Sequence, residues 1–173
     1  MPDRRRLLLG CLSVAVCQCA RDEPWRAIDS PEGRFSVSMP VRPRTGDQKA
    51  NSGWGLLDVR FYEAEVKDGA AVYSVTYTDY PFETVEPEKA RALLLDAQRS
   101  TLQQVSGQML SQGATTWQGY PARRTAIRAA SGVEYDLLVV LAASRLYQVS
   151  TASRPGQLSA RDKRAFFDSF RIR

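Results

Sequence analysis

The sequence contains no histidine, and its three cysteines, Cys11, Cys17 and Cys19, all fall within the first nineteen residues. These absences remove whole classes of chemistry from the rest of the chain. Ser-His-Asp triads, Cys-His pairs and His- or Cys-ligated metal sites need side chains that it does not carry, and no metal or other cofactor is expected. Structural disulfides are excluded beyond Cys19 as well, so stability has to come from a packed core. Lysine is confined to Lys49, Lys67, Lys89 and Lys163, and no Ser-x-x-Lys spacing occurs after the first segment. Carboxylates remain as candidate acids and bases. Glu63 and Glu65 sit two apart on one strand and share a face, for which a solubilising sheet edge is the simpler reading. Long apolar runs are missing too: Leu7 to Val16 is too short to span a bilayer, which takes about 20 residues.

What is present begins with residues 1–19, read as an export signal from the basic start at Arg4, Arg5 and Arg6 and the apolar run behind it. The arginines fit a twin-arginine signal loosely; Sec export fits better. Cys17 and Cys19 lie at the right depth to be lipid-anchor candidates, although Val16 and Gln18 are unusual residues to precede them. Cys11 follows the more usual Leu8-Leu9-Gly10 but leaves too short an apolar core. Ordinary cleavage near Cys17, or just after Cys19, is the alternative. A lipid on Cys17 or Cys19 would hold the domain close to a membrane surface, because only the short linker 20–24 precedes Trp25. Residues 25–173 read as a single domain, long enough to bury about 70% of its extended surface. Without the three arginines and one aspartate of residues 1–19, the net charge falls from +5 to +3. That is too mild and too scattered to argue for nucleic acid as a partner.

The segment Gly119 to Ser153 organises the domain. Val133 to Leu141 is apolar on both faces at its C-terminal end, as a strand in the middle of a covered sheet must be. A three-residue loop, Ala130-Ser131-Gly132, pairs it with Arg123–Ala129 so that Ile127 faces Tyr135 and Arg128 faces Glu134, with Gly132 left-handed. The same logic at Ala143-Ser144-Arg145 predicts Leu141 opposite Tyr147 and Val139 opposite Val149.

Upstream, Trp25 to Asp29 is a short strand, Ser30-Pro31-Glu32-Gly33 a turn, and Phe35, Val37 and Met39 alternate along a half-buried strand that Pro40 ends. Arg42 to Gly53 shows no period and reads as a loop. A hairpin from Trp54 to Asp79 turns at Lys67-Asp68-Gly69, which predicts Phe61 opposite Val75 and Val59 opposite Tyr77. Pro87 opens a helix whose inner stripe is Ala90, Leu93, Leu94, Ala97, Thr101 and Val105, with Gly107 as its C-cap. Gln108 to Gln118 is a weak strand. Ser159 to Asp162 resembles a capping box, opening a short helix to about Asp168 with Leu158, Ala165, Phe166 and Ser169 inward. Phe170 and Ile172 suggest a last short strand.

Trp25 with Ser30-Pro31-Glu32-Gly33-Arg34-Phe35-Ser36-Val37 and Pro40, then Gly119-Tyr120-Pro121-Ala122-Arg123, Leu146-Tyr147-Gln148-Val149 and Phe166-Phe167-Asp168-Ser169-Phe170, together resemble the PsbP-like family, named after an extrinsic subunit of photosystem II. The resemblance spans nearly all of the chain after residue 24. It implies an α+β fold, an α/β/α sandwich around a central antiparallel sheet, in an exported, sometimes lipid-anchored bacterial branch. It also implies assembly factors, accessory subunits or binding modules rather than enzymes, and it carries no universal functional residues.

The surface candidates are basic and aromatic. Arg124 and Arg128 share a strand face and, with Tyr120 nearby at the turn, form a candidate patch for an acidic partner or an anionic headgroup. The competing reading makes Arg128 a salt-bridge partner of Glu134 and leaves Arg124 to solvent. Trp54 and Trp117 are further aromatic candidates, unless they close the core. The expectation is therefore a non-catalytic, exported domain, periplasmic or membrane-anchored, that binds an envelope protein or a small amphiphile. A carrier of such an amphiphile and a carboxylate-dependent hydrolase are the alternatives.

Overall fold

The computed structural model describes residues 25–53, 55–82 and 85–173. Residues 1–19, read above as an export signal and carrying Cys17 and Cys19, lie outside the described residues, as does Trp54. Among the described residues, ten strands and two helices follow in the order β1 (Arg26–Ser30), β2 (Phe35–Met39), β3 (Arg44–Ser52), β4 (Gly55–Val66), β5 (Ala71–Asp79), α1 (Pro87–Gln104), β6 (Gln108–Trp117), β7 (Tyr120–Arg128), β8 (Glu134–Ala142), β9 (Arg145–Ser153), α2 (Ala160–Ser169) and β10 (Arg171–Ile172).

Two antiparallel sheets result, a large one in the order β3-β4-β5-β9-β8-β7-β6 and a small one in the order β1-β2-β10. The large sheet is two meanders joined where β9 returns beside β5, and α1 carries the chain from the first meander to the far edge where the second begins. One face is covered by α1, whose Ala90, Leu93, Leu94 and Ala97 pack on Leu137, Val139, Leu141 and Leu146. Full burial of a leucine side chain contributes about 1.5–3 kcal/mol, so Leu93 and Leu94 anchor this helix. The other face is shared by the small sheet and α2, which bring Phe35, Val37, Met39, Phe166, Phe167 and Phe170 against Tyr73, Val75, Leu138, Val140, Tyr147 and Val149. The architecture is the expected α+β sandwich, with one outer layer built jointly from α2 and the three-stranded sheet.

The loop after β7 keeps the expected register, Ile127 opposite Tyr135 and Arg128 opposite Glu134, with Gly132 at φ 83°. Two other registers are one residue off. At the β4–β5 turn Lys67 and Asp68 join Gly69 in the left-handed region, the loop has four residues, and Tyr62 rather than Phe61 faces Val75. Phe61 therefore turns to the opposite face, against Gly46 and beneath Arg44. Between β8 and β9 a two-residue turn with left-handed Ala143 sets Leu141 opposite Leu146 and Leu138 opposite Val149. In both turns non-glycine residues adopt a conformation that composition gives no reason to expect.

The expected loop over Arg42 to Gly53 is instead the edge strand β3. It has no buried residue and hence no apolar period to read. At the end of α1, Ser106, not Gly107, takes the left-handed position (φ 47°), with Ser106 N–H donating to the Gln103 carbonyl and Gly107 N–H to that of Leu102. This is a Schellman arrangement. Gly107 is small for another reason: a Cβ there would collide with the Ile127 side chain and lie 3.2 Å from the Arg128 carbonyl oxygen. The capping box of α2 is present, Asp162 N–H donating to Ser159 Oγ at 3.0 Å, but Phe167 faces the core and Ala165 faces out.

Candidate functional site

Alternation along β7 sends Arg123, Thr125 and Ile127 toward α1, and Ala122, Arg124 and Arg128 toward the side of α2. On the α1 side Arg123 is absorbed by structure. Its Nε donates to Gln98 Oε1 at 2.7 Å and its Nη2 to Gln112 Oε1 at 3.1 Å, while Gln98 Nε2 donates to Gln112 Oε1 at 2.6 Å. This network ties the buried Gln98 of α1 to β6 and β7.

Arg124 is placed differently. It is exposed, with its guanidinium 5.4 Å from the centroids of both Trp117 and Phe167. Cation–π contacts of this exposed kind contribute about 0.5–1 kcal/mol and hold a flexible cation in one place. The neighbouring carboxylate, Asp136, is engaged by Lys163 Nζ at 2.7 Å. Among the described residues Arg124 makes no ion pair. A depression of about 390 Å³ opens beside it, lined by Asp136, Lys163, Arg164, Phe167 and Asp168. Its register partner on β6 is Gly113.

Tyr120 is 38% exposed at the end of the Gln118-Gly119 turn and shares the Arg124 face, about 13 Å away along the strand. Arg128 shares the face too but donates to Glu134 Oε1 at 2.8 Å, so the cross-strand bridge holds for Arg128. Arg124 instead rests on aromatic rings. Trp117 packs against the core with its indole N–H buried while presenting a ring to Arg124.

A second charged cluster, at the seam between β5 and β9, was not legible in the sequence. Arg145 is opposite Asp79 in register and donates to both carboxylate oxygens at 2.6 Å, and its Nη1 donates to the Glu32 carbonyl at 2.7 Å. Its guanidinium lies 4.6 Å over Tyr77. These hydrogen bonds hold the Asp79 carboxyl below its ordinary range and raise Arg145. Tyr147 Oη donates to the Gly33 carbonyl at 2.7 Å, and burial raises its phenol. Arg60 pairs with Glu32 from the neighbouring strand. The charges satisfy one another and clamp the β1–β2 turn over the seam, which is work for the fold.

A groove of about 710 Å³ runs beside α1, and a second of about 440 Å³ adjoins it, sharing Thr76, Thr101, Gln104 and Gln148. These four alcohols and amides form the shared wall, and Val105, Ala129 and Leu137 on one side and Leu57, Val59 and Leu146 on the other complete the lining. Of the two carboxylates considered as an acid–base pair, Glu63 is bound by Arg44 Nη2 at 2.6 Å and Glu65 is exposed.

No protein-family model and no curated protein matches the sequence. Among solved structures, the chain is similar to the solution structure of cyanobacterial PsbP (CyanoP) from Synechocystis sp. PCC 6803. The TM-score is 0.61 at 10% identity, over 96% of this chain and 98% of that one. The fold is PsbP-like. At this identity the likeness concerns architecture, so what this PsbP-like domain does has to be argued from its own surface.

Proposed function

We propose that this chain is an exported, non-catalytic accessory domain of the cell envelope that binds a protein partner through the face built from β6, β7 and α2. The observation that supports this most is Arg124, an exposed guanidinium steadied over Trp117 and Phe167 while the nearby Asp136 is drawn off by Lys163. Arginine beside aromatic surface is the composition of binding hot spots. Tyr120 extends the face and Arg128, already bridged, belongs to its rim. The basic and apolar character of residues 1–19 supports export, and a lipid on Cys17 or Cys19 would keep the domain at the membrane surface.

A photo-crosslinking amino acid at Tyr120 of the full chain, expressed in its own host, tests this reading. The expected result is an envelope-fraction adduct with one protein that disappears in Arg124→Glu. An adduct found only in the cytoplasmic fraction, or none at any expression level, would contradict it.

A further inference from the structure

The two edges of the large sheet are protected unequally. β3 carries Arg44, Asp47 and Lys49, and its cations bridge to β4 through Glu63 at 2.6 Å and Asp58 at 2.5 Å. Charges along an edge discourage another strand from adding. β6, at the other edge, has no charged residue and no proline from Gln108 to Trp117, and nearly all of it is exposed. A bulge at Leu110 interrupts it, leaving Ser111 to Trp117 as a regular, unguarded edge.

Gly113 sits in the middle of that edge. Its φ is not left-handed, and a Cβ there would meet nothing within 4 Å. Among the described residues, neither backbone nor packing calls for glycine here. A glycine within a strand often marks the close approach of another backbone or ligand. Immediately behind it in register is Arg124. With no side chain at Gly113, the way from the Arg124 guanidinium to anything lying along β6 is open.

We propose that β6 is a strand-addition site for an extended acidic segment of a partner protein, one of whose carboxylates reaches over Gly113 to Arg124. This rests on the reading of the domain as a protein-binding module. An added strand would lie two strand spacings, about 10 Å, from the β7 backbone, a gap that an arginine and a glutamate side chain close between them. Main-chain hydrogen bonds along Ser111 to Trp117 supply affinity, and the acidic position supplies specificity. A second copy of this chain fits poorly, because its own β6 offers no carboxylate to Arg124.

The test uses the full chain and a labelled eight-residue peptide alternating glutamate with threonine and valine; its counterpart with lysine for glutamate is the control. The acidic peptide is expected to bind saturably and to protect amides from Ser111 to Trp117 against hydrogen exchange. Arg124→Glu and Gly113→Glu should each weaken binding by about tenfold or more, while Arg26→Glu, with the same change in net charge as Arg124→Glu, leaves it unchanged. A Cβ at Gly113 meets nothing within 4 Å, so the melting temperature of Gly113→Glu should hold and lost binding there is not misfolding. Four results would overturn the proposal: no binding of the acidic peptide, equal binding of the lysine peptide, protection centred elsewhere than β6, or a dimer whose β6 is already protected. If Tyr120 crosslinks to a partner while the peptide leaves β6 unprotected, the binding module stands and strand addition fails.

Discussion

Removing Asp79 should cost the fold more than removing Arg145, although either change breaks the same ion pair. The asymmetry comes from exposure: the Arg145 side chain is 8% exposed and that of Asp79 is 53%. Asp79→Ala leaves a buried guanidinium with the Glu32 carbonyl, the Tyr147 hydroxyl and the Tyr77 ring for compensation. An uncompensated buried charge costs about 3–5 kcal/mol, and those contacts place the loss near the lower end. Arg145→Met keeps much of the packing of the stem and strands only a half-exposed carboxylate, which water resolvates. The charge-assisted hydrogen bonds lost then amount to about 1–2 kcal/mol after exchange with water. Urea unfolding followed by tryptophan fluorescence, with linear extrapolation, separates the two losses. Equal losses, or a larger one for Arg145→Met, would refute the reasoning. The pH dependence carries the same signature. Asp79 is held below its unfolded value chiefly by the hydrogen bonds from Arg145. Its contribution is thus fully present above the unfolded pKa of about 4 and is lost as pH falls through the folded one. An Asp79→Asn variant should lack that acid-side loss.

Gly107→Ala should destabilise by about 1–3 kcal/mol through overpacking against Ile127, read as a shift in denaturation midpoint. Gly113→Ala, at a strand position with open space around it, should be neutral or stabilising by about 0.5–1 kcal/mol in the same assay. Ser159→Ala removes the α2 cap and should cost about 1 kcal/mol, with Ser159→Thr, which keeps the hydroxyl that also donates to Asp162 Oδ2 at 2.7 Å, restoring most of it. Tyr73 is pushed up to about 12, by burial first and the Asp162 carboxylate second, so ultraviolet titration should show one phenol ionising there and missing from Tyr73→Phe. Because the folded value lies above the unfolded one, this stabilisation is whole below about pH 10 and is lost as pH rises through 12.

How much was legible follows from where side chains are buried. β2, β8 and the inner stripe of α1 could be read because their apolar periods match buried faces, and Ser159 could be read because a cap is local chemistry. β3 was illegible because an edge strand with no buried residue has no period. The β4–β5 and β8–β9 registers slipped because Lys67, Asp68 and Ala143 take left-handed conformations for which tertiary pairing, not composition, is responsible. The Arg124 face could be anticipated from alternation along β7, and Arg128 could be paired with Glu134 from the loop register. What alternation could not supply was the pairing of Gly113 with Arg124, the rings beneath the guanidinium, or the Arg145–Asp79 clamp, since each joins segments distant in sequence.

Amide hydrogen exchange on the chain captured with the proposed envelope partner, compared with the same chain after salt has stripped that partner away, tests the central claim most directly. The account predicts that Ser111 to Trp117 exchange slowly in the assembly and rapidly once stripped, while β3 exchanges alike in both. Equal exchange across β6 in the two states, with protection gained elsewhere, would contradict it.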